Sequence, residues 1–388
     1  MAQQQKACIV GIGETEYRPQ GKITDRTEFQ LAVQAIASAA SNAGLPPGGI
    51  DGLVTFADPT INAAVLQQAL GMERLRLSAT VWGGRGGASC GALSLAATAV
   101  ESGQARYVAV FRSLCQGQTR RYGRFYAERM HASLNAPFGL LSPVQHMALV
   151  MQRYRHEYGF EPEQMAEIAL ICRSNANRNP RAVKHDQQLT AEQYFGSRMI
   201  AEPFRLFDCC IETDGACAVI VTSAERARDL ATEPVRILAA ALGGGPDWNT
   251  GAMGAHNMPD YLTGNQRELA AELYGAAGIE PDDIDVVQFY DHFTGLTFIT
   301  LEDFGFCARG EGANYVGEGH LRWPNGAMPM NTAGGSLSEA YVHGFNHVLE
   351  GVRQLRDESS SQVAGAELCL VTGGGGISPT SAAILGAW

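Results

Sequence analysis

Short runs of β-branched and small apolar residues alternate along this chain with longer segments whose apolar positions recur at helical spacing, the pattern of an α/β protein. Strands are predicted at Ala7–Gly13, Gly52–Phe56, Tyr107–Phe111, Ala216–Thr222, Arg236–Ala241, Asp285–Tyr290 and Leu368–Thr372. Helices are predicted at Thr27–Ala43, Ala88–Ser102, Pro143–Tyr158, Pro162–Asn177, Pro259–Ala277 and Ser336–Leu355. Asp25 or Thr27 would cap the first helix, and Gly44 would end it.

The pattern repeats. Residues 43–58 read AGLPPGGIDGLVTFAD and residues 277–291 read AGIEPDDIDVVQFYD. Each leaves a helix at Gly, turns through a Pro-containing loop and enters a strand through Ile-Asp. A second pair opens a helix with Gly-Gly, GGASCGALSLAATAV from Gly86 and GGSLSEAYVHGFNHV from Gly334. The two offsets, 234 and 248 residues, are close enough for one duplication to explain both. Two halves follow, residues 1–235 and 236–388. Residues of about 114–205 have no counterpart in the second half and read as an insertion with its own helices.

Composition narrows the function classes. A chain of 388 residues with 45% hydrophobic and 18% charged residues can build two packed halves. A net charge of −11 leaves no basic field to displace phosphate counterions, so a nucleic-acid binder is not expected. The N-terminal residues carry no signal-peptide core, and no apolar run approaches the roughly 20 residues of a membrane span, so a cytoplasmic protein is expected. The nine cysteines are scattered without CxxC spacing, which predicts neither a disulfide framework nor structural zinc. His343 and His347 have metal-ligand spacing but lack the intervening Glu of zinc proteases, and no metal is expected. Gly373–Gly376 lacks the Lys of a phosphate loop; it reads instead as backbone that lets a substrate come close. Arg120, Arg121 and Arg124 read either as a solvated face or as contacts for CoA phosphates.

Four further segments carry a family resemblance. They are FDCCIETDGACAVIVTS (Phe207–Ser223), VVQFYDHFT (Val286–Thr294), PMNTAGGSLSEAYVHG (Pro329–Gly344) and CLVTGGGGISPTSAAIL (Cys369–Leu385). With the N-terminal IVGIGETEY, they resemble the thiolase superfamily, and the sterol-carrier-protein thiolases most of all. The resemblance implies an α/β chain with a duplicated thiolase fold, five-layered αβαβα, an inserted loop domain, a homodimer and an acyl-CoA thioester substrate.

Three positions depart from that family. A thiolase needs a nucleophilic cysteine at a helix N-terminus, where the dipole lowers the thiol pKa. That place falls on Gly86, with Cys90 one turn further on. The catalytic histidine of the family's Gly-His-Pro falls on Tyr341, and the histidine of its His-Asp-Cys-Phe falls on Tyr290. No acyl-enzyme forms on glycine.

Two tyrosines with His292 and His343 nearby suit proton transfer on a hydroxyl. A phenol has an ordinary pKa near 10 and needs a neighbour to poise it. A β-hydroxyacyl-CoA that loses its hydroxyl proton can break its Cα–Cβ bond, giving a thioester enolate held by oxyanion donors. This combination resembles the lipid-transfer-protein aldolases of bacterial steroid side-chain degradation. That resemblance implies cleavage of a 17-hydroxy steroid C22-CoA thioester to a 17-keto steroid and propionyl-CoA, alongside an OB-fold acyl-CoA-binding partner. It places the proton chemistry on Tyr290 and Tyr341. His292 and His343 are expected to assist, Gly86, Asp291, Gly335, Gly374 and Gly375 to line the substrate, and no cofactor is expected beyond the substrate's own CoA. Two alternatives stay open: an acyltransferase with Cys90 or Cys115 as displaced nucleophile, and a non-catalytic lipid- or acyl-CoA-binding scaffold.

Overall fold

The computed structural model describes residues 7–57, 60–83, 85–118, 136–245, 260–376 and 379–388. The first half contributes β1 (Ala7–Glu14), β2 (Gly52–Phe56), β3 (Leu77–Val81), β4 (Val108–Leu114) and β5 (Thr213–Ser223). The second contributes β6 (Val235–Gly243), β7 (Val286–Gln288), β8 (Leu368–Gly373) and β9 (Thr380–Gly386). The helices that matter here are α1 (Glu28–Asn42), α2 (Ser89–Glu101), α3 (Pro143–Glu157), α4 (Pro162–Ala176), α5 (Arg267–Ala277), α6 (Gly335–Ser338) and α7 (Phe345–Gln354). The predicted strands are all present. β3 and β9 were not among the predicted strands; β3 is an edge strand with three of its five side chains partly in water and lacks a continuous apolar run.

Strand order reveals the repeat. In the first half it runs β1-β5-β4-β2-β3, and in the second β6-β9-β8-β7, with Met330 bridging β7 in the place that β3 holds beside β2. The senses correspond as well. β5 and β9 each lie antiparallel to both neighbours, while the β2/β4 and β7/β8 pairs are parallel. The two sets are hydrogen-bonded to each other at the start of β1 and β6, through Cys8–Arg236 and Ile9–Val235.

The repeated Ile-Asp has one physical role in both halves. The Asp51 carboxylate accepts from the backbone N–H groups of Arg106 and Tyr107, at the start of β4. Asp285 accepts from Glu367 and Leu368, at the start of β8. In each case a carboxylate satisfies the two N–H groups where the neighbouring parallel strand begins. Ile50 and Ile284 each donate to a Pro carbonyl three residues back, closing the same one-turn helix.

Helices α2 and α7 fill the middle. Cys90, Leu93, Ala96 and Val100 of α2 share one core with Phe345, Val348, Leu349 and Val352 of α7, between Val54, Val110 and Val219 on one side and Val371, Ala383 and Leu385 on the other. On the outside, α1 buries Leu31, Ala35 and Ile36 against the first half, and α5 buries Leu269, Ala270 and Leu273 against the second. Five layers result. Helices α3 and α4, from the inserted segment, pack Met147, Met151, Tyr154, Ile168 and Cys172 into the second half's outer core with Phe289, Phe293 and Phe298. Arg120, Arg121 and Arg124 lie outside the described residues, and no helix among those described is long and apolar enough to cross a membrane.

Two predicted helices need correction. The one expected from Pro259, itself outside the described residues, starts at Arg267. Thr263 and the N–H groups of Gly264 and Gln266 are drawn onto the buried Asp303 carboxylate, which holds that stretch as a turn. The helix expected over 336–355 is broken between Ser338 and Phe345. His343 and Gly344 adopt φ of +52° and +76° there, which interrupts the helical ladder.

Candidate active site

Tyr290 follows β7, and its N–H donates to Thr372 Oγ1 at 2.9 Å, so β8 sets its position. Its ring enters a space bounded by two glycines. A Cβ on Gly86 would lie 2.2 Å from Cε2, Cζ and Oη of the ring, and one on Gly344 would lie 2.5 Å from Cδ2. Tyr341 sits in the break between α6 and α7, where its N–H donates to Thr213 Oγ1 at 3.0 Å. The two phenolic oxygens are 2.7 Å apart, a hydrogen bond that either can donate. Tyr290 is 5% exposed and Tyr341 half-buried, so Tyr341 is the more open of the pair. The ring stands where a side chain on residue 86 would begin.

Gly86 belongs to a one-turn helix that leads into α2, with Ser89 Oγ donating to its carbonyl at 2.9 Å. Cys90 points elsewhere. It is fully buried, its thiol donates to the Val371 carbonyl at 3.6 Å, and burial pushes its pKa up to about 12. Cys115 donates to the carbonyls of Ile23 and Arg26, and burial pushes it up to about 11. Neither thiol is a thiolate at neutral pH, which removes the geometric support for a displaced nucleophile.

The structure gathers some of the remaining predicted residues at the pair and moves others away. The His292 ring lies 4.8 Å from the Tyr290 ring, and burial pushes its pKa down to about 4, so it stands beside the phenol as a neutral ring. The His343 ring lies 5.4 Å from that of Tyr341, edge-on at 77°. The glycine hairpin abuts the same turn, since a Cβ on Gly373 would lie 2.8 Å from the Gly86 carbonyl oxygen. Gly374 has φ of +69°, and Gly375 lies against Gln266 and Thr300.

Asp291 and Gly335 are engaged by the fold itself. Asp291 is fully buried and accepts from the N–H groups of Ser336 and Leu337 at the start of α6, with His347 Nε2 at 3.3 Å from the same carboxylate. Burial would raise its pKa, but the hydrogen bonds from His347 and Ser336 hold it below the usual carboxylate range. A charge so enclosed serves the helix start and leaves none of these groups for a substrate. Gly335 is glycine because Asp291 is there: its Cβ would lie 2.3 Å from the carboxylate. His347 also meets Ser336 Oγ at 2.9 Å, so it packs at the start of α6, while His343 faces Arg112.

Three residues that position the site gave no local signal. Thr213 and Thr372 accept from the two tyrosine N–H groups, and Arg112 reaches His343, across separations of 128, 82 and 231 residues. Motif reading does not reveal pairings of that range.

Fold and site together define a thiolase-like protein with a hydrogen-bonded phenol pair beside the bare turn at Gly86. Comparison with known proteins agrees and goes further. Residues 250–387 match the thiolase C-terminal domain-like family. The chain is 39% identical over 390 residues to 17-hydroxy-3-oxo-4-pregnene-20-carboxyl-CoA lyase of Mycobacterium tuberculosis, covering 98% of this chain and 99% of that one. It is 40% identical over 395 residues to the steroid side-chain-cleaving aldolase of Thermomonospora curvata, covering 98% of each. A chain of the solved Ltp2-ChsH2(DUF35) aldolase superposes with a TM-score of 0.92 at 38% identity, covering 100% of this chain and 99% of that one. The chain belongs to this family of thiolase-fold steroid side-chain-cleaving aldolases.

Proposed function

We propose that this chain cleaves a β-hydroxyacyl-CoA by a retro-aldol reaction, turning a 17-hydroxy steroid C22-CoA thioester into a 17-keto steroid and propionyl-CoA. The observation that carries the reading is the 2.7 Å contact between Tyr290 and Tyr341 beside the gap at Gly86. One phenol, as phenolate, takes the proton of the β-hydroxyl. The O–H pair becomes the new ketone, the Cα–Cβ pair moves into the thioester as an enolate, and the other phenol returns a proton to Cα. One proton has moved from oxygen to carbon, and no electrons are left over. The short contact lets each phenol stabilise the other's anion, which is what a base with an ordinary pKa near 10 needs. The buried surroundings keep water from competing for the enolate.

The relatives' activities support the substrate class, and the solved Ltp2-ChsH2(DUF35) aldolase contains a DUF35 protein. An OB-fold acyl-CoA-binding partner is therefore part of the proposal. So is a homodimer, supported by the free edge of β3, which pairs only with β2 among the described strands. The test is mass spectrometry of products from a 17-hydroxy steroid C22-CoA, with and without the partner. A 17-keto steroid with propionyl-CoA is expected, faster with the partner. Intact ester with both proteins present would leave only a binding scaffold.

A further inference from the structure

Arg112 lies on β4 in the first half, and its side chain is buried, 4% exposed, under a site whose tyrosines come from the second. Its Nε–H donates to His343 Nδ1 at 3.2 Å, and a terminal N–H donates to the Phe56 carbonyl at 3.1 Å. The guanidinium also lies 5.7 Å from the centre of the Phe56 ring. These contacts hold Arg112 at the end of β2. Arginine only donates hydrogen bonds and does not lose its proton in proteins. Nδ1 of His343 therefore carries a lone pair, the one ring proton sits on Nε2, and a second proton would bring a cation against a cation.

We propose that Arg112 is a positioning residue that holds His343 as a neutral, Nε2-protonated imidazole, so that His343 serves the tyrosine pair as a hydrogen-bond donor and not as a proton acceptor. His343 is 1% exposed and is fixed at φ +52° in the break that also carries Tyr341. A neutral N–H beside a phenol pair stabilises negative charge developing on a phenolate or an enolate oxygen without competing for the proton. Among the described residues, Arg112 from β4 and Tyr341 from the break meet this ring, with Glu28 of α1 in the field of Arg112. The catalytic consequence rests on the lyase reading; the tautomer does not.

Two measurements on the full chain test it. In nitrogen-15 spectra of histidine-labelled protein, wild-type His343 is expected to show an unprotonated Nδ1 and no titration between pH 5.5 and 8.5. In Arg112→Met it should titrate near the ordinary value of about 6.5. Turnover should follow. The variant's kcat should fall about fourfold further between pH 8 and pH 6, the share lost as an imidazole of pKa about 6.5 is protonated, with KM changing less. Arg112→Lys, which keeps a buried cationic donor, should restore a flat acid side and reports that the fold survives. His343→Gln keeps an N–H donor that cannot titrate, so Arg112→Met/His343→Gln should be no slower than His343→Gln alone. Titration of wild-type His343 in the physiological range would overturn the proposal, as would losses that simply multiply in the double variant. If wild-type protein fails to cleave the CoA ester, the lyase reading falls, and the imidazole spectra still decide the tautomer.

Discussion

Phe56 and Tyr290 occupy the same position in the two repeats, Phe56 at the end of β2 and Tyr290 just past the end of β7. Phe56 turns into the core, fully buried and 5.6 Å from the Phe345 ring. Tyr290 turns into the gap at Gly86 and meets Tyr341. The helices that follow differ in the same sense. α2 runs unbroken from Ser89 to Glu101 and brings only the bare Gly86 turn to the site, whereas its counterpart is split into α6 and α7 and carries Tyr341 and His343 in the break. Duplication built one frame twice. The difference between the copies is a bare turn in one and a tyrosine ring that fills its space in the other.

The sharpest way to break this comparison is to remove the second half's contribution. Tyr290→Phe and Tyr341→Phe should each lower kcat by about 10²–10⁴-fold, the worth of a positioned proton transfer, with the fold intact by circular dichroism. A Phe variant near wild-type rate would remove that tyrosine from the chemistry. The complementary change refills the first half's gap. Gly86→Ala puts a methyl where the Tyr290 ring lies, so it should cost turnover about 10²-fold by displacing the phenol, and Gly86→Cys should not rescue it. Acyl-enzyme on Gly86→Cys, seen by intact-protein mass spectrometry, would contradict the exclusion of the thiol by the ring.

Where the halves are alike, their responses should be alike. Asp51→Ala and Asp285→Ala each strip two backbone N–H groups of their acceptor and should each cost about 1–3 kcal/mol in urea unfolding. The Asp51 change should cost more, because Asp51 is 3% exposed while Asp285 is half-buried. Where they differ, pH should report it. Burial, with the Glu350 and Glu14 carboxylates nearby, pushes Glu339 up to about 8 from the usual 4.5, at the break in the second half's helix; the corresponding residue of α2 is Gly91. The folded chain thus holds a proton that the unfolded chain releases above about 4.5, so this group's contribution is whole below that pH, declines as pH rises and levels off above about 8. Glu339→Gln should flatten that decline in the melting temperature between pH 5 and 8.5, and an unchanged slope would remove Glu339 as its source. The smallest effect belongs to the Cys90 thiol of the first half. Cys90→Ala should leave kcat within a few-fold, because its side chain only packs against Val371 and the centre of the fold. A loss of roughly 10⁴-fold would restore a covalent mechanism.

Much of this protein was determined by its sequence alone, because the features concerned are local. Strand and helix periodicity and the Ile-Asp turns each depend on a few consecutive residues, and together they were enough to read a duplicated α/β fold; the place of Gly86 came from the family resemblance. Tyr290 and Tyr341 stood out because they fall on positions where the resembling family has histidine. The tertiary structure decided the rest. The tyrosines lie 51 residues apart in the chain, and only packing of α2 and the break before α7 between the two sets of strands brings their oxygens to 2.7 Å. Asp291 could line the substrate or bond backbone amides at its turn, and the fold spends it on the start of α6, since a carboxylate's partners depend on which N–H groups the fold leaves open. The helix break turned on left-handed backbone at His343, a conformation that no side-chain pattern announces. Arg112 was one charged residue in a strand until the fold set its guanidinium against an imidazole 231 positions away.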